Sequence, residues 1–380
     1  EDLIRRGLAS ASLSFATNIE EALEDCGVIW VTFDTPVDEE DRADVGFVQK
    51  QVERLFPYIE DHAMILISSQ LPVGTTRELK MIFEQRFPEK EAHFAYSPEN
   101  LRLGKAIEVF TQPDRVVAGY DDTAARHLIE EIFEPFSPRF EWMSIESAEM
   151  TKHALNAFLA TSVTFINEIA ALCEQVGADA GEVARGLKSD PRIGEKAYLS
   201  PGGAYSGGTL ARDIRFLGEL GERLNQATPL ISGVEQSNDG HRLWAVRRLN
   251  QLLGDLIQKK IAVWGLTYKV GTNTLRRSGA IDICRELAAQ GALIQAYDPA
   301  IPGLPDAYAQ FITLATSAEE ALKDADALIL YTGWPNFKEI DAAVYFQTMN
   351  TPFVLDASRF LAEVLEDIDG MRYITVGKGD

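Results

Sequence analysis

Positive charge is scarce in this chain. It has 36 Lys and Arg against 58 Asp and Glu, a formal net charge of −22 at pH 7. A nucleic-acid polymer would be repelled by such a surface, whereas a small anionic ligand needs only a few local cations. Cysteine is scarce as well. Cys26, Cys173 and Cys284 stand far apart in apolar surroundings, which excludes a disulfide framework and suits a reducing cytoplasm. With no CxxC and no clustered Cys/His pattern, nothing points to a metal. No apolar run approaches the roughly 20 residues that a membrane-spanning helix requires. The chain opens without Met or a secretory signal; its first residues, EDLIRRGLAS, read as the middle of a helix, so residues upstream are expected to be missing.

The remaining composition is that of a globular protein. A hydrophobic share of 46% over 380 residues is enough for two or three domains with substantial cores. Residues 1–143 alternate strand-like and helix-like segments. Val28–Phe33, Met64–Ser68, His93–Tyr96 and Arg115–Gly119 read as strands, with a helix from Thr75 to Phe87. Asn18 is placed to cap an earlier helix, with Glu21 as its capping-box acid. Such alternation implies parallel βαβ units. From Ser147 to Val176 nearly thirty residues run without Gly or Pro, which predicts a long helix bridging domains or subunits. Helices over Leu210–Leu224 and Leu230–Leu256 are expected next. A second α/β region then opens, with strands at Ile261–Trp264, Leu293–Tyr297, Ala327–Tyr331 and Phe353–Leu355 and a helix over Ser278–Gln290.

The densest signal is Ser189–Asp213, SDPRIGEKAYLSPGGAYSGGTLARD. Its Gly, Pro and aromatic residues make a loop that no regular element tolerates, followed by a helix carrying Arg212 and Asp213. This layout resembles the active-site loop of the UDP-glucose/GDP-mannose dehydrogenase family, D-x-R-I-G…L-x-P-G-x-G-Y/F-G-G-S-C-x-x-K-D. Further matches extend over nearly the whole chain: KxxxN at Lys152 and Asn156 followed by FLA and FINE, SPENLRLGKA around Glu99, FDTP at Thr35, and GLTYKVGTNTLRRSGA from Gly265 to Ala280. The resemblance implies an α/β fold of two Rossmann-like parallel-sheet domains joined by a long central helix, with the first domain truncated at its N-terminus. The expected divisions are a partial NAD-binding domain over 1–143, a central helical dimerisation and active-site domain over 144–255, and a nucleotide-sugar domain over 256–380. NAD is the implied cofactor, a UDP- or GDP-hexose the implied substrate, and a cytoplasmic homodimer the implied assembly.

The resemblance also implies roles for single residues. Lys152 would stabilise negative charge on the sugar C6 oxygen, and Asn156, four residues on and on the same helix face, would donate a hydrogen bond there. Asp213 would orient a water or act as base, and Glu99 would assist proton transfer. Arg192, Tyr198 and Tyr205 would contact or wall the sugar, with Leu101 also against the substrate. Gly207, among the loop glycines, would let amides approach the diphosphate. Lys269 would meet the nucleotide; Arg276, Arg212, Thr35 and Ser69 would serve the cofactor.

The chain also departs from that pattern. Thr209 stands where the family has its nucleophilic cysteine, Arg212 replaces a lysine, Leu103 a glutamate, Gln70 a threonine, Arg277 a glutamate and Gly279 a proline. The dinucleotide fingerprint G-x-G-x-x-G is absent from the sequence and would lie upstream of Glu1. Cysteine in this family captures an intermediate aldehyde on the way to an acid. A threonine hydroxyl is far less acidic than a thiol and has no histidine beside it in the loop, so the thioester route is not expected. Three readings stay open: a nucleotide-sugar dehydrogenase with an altered or absent covalent step, an NAD-assisted sugar epimerase, and a non-catalytic nucleotide-sugar-binding protein.

Overall fold

The computed structural model describes residues 2–36, 43–99, 101, 105–137, 139–206 and 208–379. The chain divides into two compact units, Glu1–Leu155 and Asn156–Asp380. In the first, five strands form one sheet in chain order: β1 (Val28–Val31), β2 (Met64–Ile67), β3 (His93–Tyr96), β4 (Val116–Tyr120) and β5 (Phe140–Met143). The interior strand β2 is buried throughout. Its residues alternate between two cores, Ile65 and Ile67 on one face with Phe83 and Phe94, Met64 and Leu66 on the other with Ile129 and Phe133. That is how a sheet covered on both faces reads.

The expected all-parallel pairing fails at one step. β3 and β4 run antiparallel, with Ala95 opposite Tyr120. The helix between them, Ala106–Thr111, has six residues, about 9 Å of rise. That is too short to carry the chain back along a sheet as a crossover helix does.

The second unit contains a fully parallel six-stranded sheet: β6 (Lys260–Trp264), β7 (Leu293–Tyr297), β8 (Thr313–Leu314), β9 (Ala327–Leu330), β10 (Phe353–Asp356) and β11 (Arg372–Ile374). Their order is β11-β10-β9-β6-β7-β8. The chain starts in the middle, winds out to β8, and returns past β6 to wind the other way. This is the doubly wound Rossmann order, whose strand order reverses between β6 and β9. The carboxyl ends of those two strands therefore frame the crevice where such sheets bind ligands.

The long helix spans Ile145–Val176, two residues longer at its start than the sequence pattern suggests. By length and composition alone it is apolar enough to cross a bilayer, with a mean hydropathy of 1.4 over its most apolar window. The expectation that no segment reaches this limit is therefore corrected. Interruptions by single polar residues hide the segment from a search for unbroken runs. Of that window, 44% is buried inside the protein.

The expected single helix over Leu230–Leu256 is two, Pro229–Arg242 and Trp244–Leu253. The break at Leu243 turns Trp244 into the core, where it is 4% exposed and its Nε1 donates to Glu174 at 2.9 Å.

Candidate active site

In the first unit, hydroxyls stitch the loops at the carboxyl ends of β1, β2 and β3. Thr35 Oγ1 donates to the carbonyl of Gln70, and Ser69 Oγ to the carbonyl of Phe33, each at 2.7 Å. Ser68 Oγ reaches the carbonyl of Ser97 at 2.7 Å and accepts from Trp30 Nε1. Thr35 and Ser69 are both buried. Carboxyl ends of parallel strands are where open α/β sheets take their ligands, so both residues stand at the ligand-facing edge of this sheet. The glycine-rich turn that normally cradles a dinucleotide pyrophosphate is not in the sequence.

Helix Thr75–Arg86 follows these loops, and its first turn is already supplied with an anion. Glu149, fully buried on the long helix, accepts from the Gly74 amide at 2.6 Å, from the Thr76 amide at 3.0 Å and from Thr76 Oγ1 at 2.7 Å. Burial pushes its carboxyl above the usual range, and these three donors oppose that rise. One turn before it, Glu146 holds Arg77 at 2.5 Å. One turn after it, His153 Nε2 donates to the Leu71 carbonyl at 2.9 Å. Three successive turns thus hold the segment that carries Ser69 and Gln70. Glu149 was not singled out in the sequence, where it reads as one more acid of an acidic chain.

Lys152 is buried on the same helix, and its ammonium donates to the Glu99 carbonyl at 2.5 Å. Glu99 itself is exposed; its carboxylate folds back to accept from the amide of Leu101, also exposed. Leu103, where the second family glutamate is absent, lies outside the described residues.

In the second unit, Asn156 and Asp213 come together. Asn156 Nδ2 donates to Asp213 Oδ2 at 2.5 Å; Asp213 is fully buried and Asn156 nearly so. Asp213 and Arg212 sit on helix Thr209–Arg223, which Thr209 opens as an exposed residue. Gly208 before it has φ 94°, left-handed backbone that glycine adopts without strain.

The glycine-rich loop is held by three polar side chains that sequence reading missed as site residues. Asn167 accepts from the Gly202 amide at 3.0 Å and donates to the Gly203 carbonyl at 3.3 Å. Asn238 clasps Tyr205 from both sides, accepting from its amide at 2.9 Å and donating to its carbonyl at 3.0 Å. His241 Nε2 donates to the Gly202 carbonyl at 2.7 Å. Burial pushes the His241 imidazole down, so the neutral form is favoured. A signal existed: Val234, Asn238 and His241 follow i, i+4, i+7, the buried face of one helix. Tyr205 is half-buried, and its phenol is pushed up to about 12 by burial and by Glu235 and Asp239.

Other expected residues lie at the surface. Tyr198 is exposed, and so is Arg192, which closes on Asp190 through Nε at 3.0 Å and Nη2 at 2.7 Å. Lys269 and Arg276 are exposed on the loop after β6. Gly207 lies outside the described residues.

A dinucleotide-type α/β fold with a buried amide–carboxylate pair, a buried lysine and a clamped glycine-rich loop is the framework of an NAD-dependent oxidoreductase acting on CH–OH groups. The chain belongs to the UDP-glucose/GDP-mannose dehydrogenase family: its NAD binding domain matches residues 1–137, its central domain residues 146–240 and its UDP binding domain residues 262–363. UDP-glucose 6-dehydrogenase YwqF of Bacillus subtilis (strain 168) is 32% identical over 382 residues, covering 100% of this chain and 86% of that protein. UDP-glucose 6-dehydrogenase of Rhizobium meliloti (strain 1021) is 33% identical over 390 residues, with 100% and 88% covered. The solved UDP-glucose dehydrogenase from the hyperthermophilic archaeon Pyrobaculum islandicum superposes with a TM-score of 0.84 at 26% identity, covering 98% of this chain and 85% of that one.

Proposed function

We propose that this protein oxidises the C6 hydroxyl of a UDP- or GDP-linked hexose and does so without a covalent thioester step. The observation that carries the reading is the buried pair of Asn156 and Asp213. Burying a carboxylate is costly unless a partner holds it, and service as a catalytic base is a use that offsets the cost.

NAD, when bound, supplies the hydride acceptor; Thr35 and Ser69 would line its ribose. Lys152, fixed by the Glu99 carbonyl, carries the positive charge that steadies a developing alkoxide on the sugar. Asp213 takes the hydroxyl proton directly or through a water, oriented by Asn156. Thr209 is a poor nucleophile, so its hydroxyl serves as a hydrogen-bonding group for the substrate oxygen or a water. The first oxidation gives an aldehyde, NADH and a proton. An acid then arises only if water adds to the aldehyde and the hydrate gives up a second hydride. The UDP binding domain match over residues 262–363 favours UDP as the nucleotide.

The active form we propose is a cytoplasmic homodimer paired through the long helix. Phe158, Phe165, Leu172 and Val176 are exposed there, at spacings of seven and four that keep them on one face.

The test is to mix the protein with NAD and a panel of nucleotide sugars. Reduced cofactor and an oxidised sugar are expected. Confirmed binding without any reduced cofactor would point to the binding-protein reading, and a C-epimer formed without net reduction to the epimerase reading.

A further inference from the structure

Three departures from the family pattern, one in the glycine-rich loop and two in the segment after β6, meet in the second unit. Thr209 replaces the cysteine, Arg277 a glutamate and Gly279 a proline. A methyl group built on Gly208, next to Thr209, would stand 3.5 Å from the Tyr268 hydroxyl and 3.9 Å from Arg277 Nη1. The guanidinium therefore lies against the backbone that presents Thr209. Its Nε and Nη2 are closed off from solvent, where a charge acts more strongly than it does in water. Arg277 itself holds φ 61°, a left-handed backbone rare for a side-chain-bearing residue.

Gly279 belongs to the same cluster. A methyl group there would come within 1.9 Å of the Tyr331 hydroxyl, so Tyr331 keeps its place only because residue 279 has no side chain. The partly buried Tyr331 in turn hydrogen-bonds the side chain of Ser206, in the loop just before Thr209. Tyr331 follows β9, at the point where the strand order reverses. The loss of a side chain at 279 and the gain of a cation at 277 thus act on one loop segment.

We infer that Arg277 is a specificity-determining residue that makes the position of Thr209 a binding point for a negatively charged oxygen of the substrate. This inference rests on the dehydrogenase reading above. A pocket built to raise a cysteine's nucleophilicity has become one that holds an oxyanion non-covalently: the alkoxide of the alcohol or hydrate, or the product carboxylate. Thr209 supplies a neutral hydroxyl beside the charge, and Tyr268 a second donor.

The field of Arg277 can be read without substrate or cofactor by using a thiol as the probe. In T209C, the rate of iodoacetamide labelling is followed against pH, with peptide mass analysis reporting position 209 separately from Cys26, Cys173 and Cys284. The introduced thiol is expected to titrate clearly below the free value of about 8.5. Adding R277Q should raise the midpoint by about one pH unit, a tenfold loss of thiolate, while R277K keeps it low. The double variant separates Arg277 from Arg212, which sits on the same helix and is unchanged in both. An unmoved midpoint on R277Q overturns the inference. So does a T209C midpoint at or above the free-thiol value, which needs no folded double variant. Because this titration involves no turnover, its failure is separate from any failure of the unsubstituted protein to reduce NAD.

Discussion

In the proposed reaction Asp213 takes the proton, and Asn156 is a partner that holds its carboxylate. A hydrogen bond to a charged group contributes about 1.5–3 kcal/mol. N156A is expected to lower unfolding free energy by about that amount in urea denaturation, together with a large loss of kcat. A stable but inactive variant would show that the amide serves only the reaction. An active variant with a loss below about 0.5 kcal/mol would remove the pair from the mechanism. The family resemblance brought both residues into view, Asn156 through the KxxxN match it shares with Lys152 and Asp213 through the end of the loop motif. Their neighbours were not legible in the same way. Arg277 and Gly279 look like unrelated substitutions until the fold sets them beside Gly208 and Tyr331.

The glycine-rich loop illustrates the same limit for whole elements. Its glycines and prolines announce an irregular segment, but what fixes its shape comes from two helices, through Asn167, Asn238 and His241. A local pattern cannot show contacts made with residues some thirty-five positions away. The helices themselves were legible, since periodicity sets their faces. The break at Leu243 was not, because it depends on where Trp244 finds its core, and the β3–β4 reversal was not, because connection geometry decides it. His241 also gives the loop a pH dependence. Burial holds its folded value below the unfolded one of about 6.5. The unfolded chain therefore binds the proton first, and the stability that the neutral ring contributes is lost as pH falls below about 6.5. H241Q keeps a donor for the Gly202 carbonyl without the titration. The parent should lose stability relative to H241Q between about pH 7.5 and pH 5.5 in urea unfolding. A difference between the two proteins that does not change with pH would contradict this.

For the whole molecule, the exposed face of the long helix carries the prediction. An Asp placed in a buried apolar contact is strongly disfavoured. F158D and F165D are expected to turn a dimer into a monomer in light scattering, leaving each unit's fold intact by circular dichroism. A parent that is already monomeric, or variants that stay dimeric, would place the dimer contact elsewhere. The central claim is hydride transfer from a nucleotide sugar without a covalent bond to the chain. It is tested most directly with the accepted sugar nucleotide dideuterated at C6, following the reduced cofactor and the intact protein by mass spectrometry during turnover. The account predicts deuterium in the reduced nicotinamide and a protein of unchanged mass. A cofactor without deuterium, or a sugar-sized adduct on the chain, would contradict it.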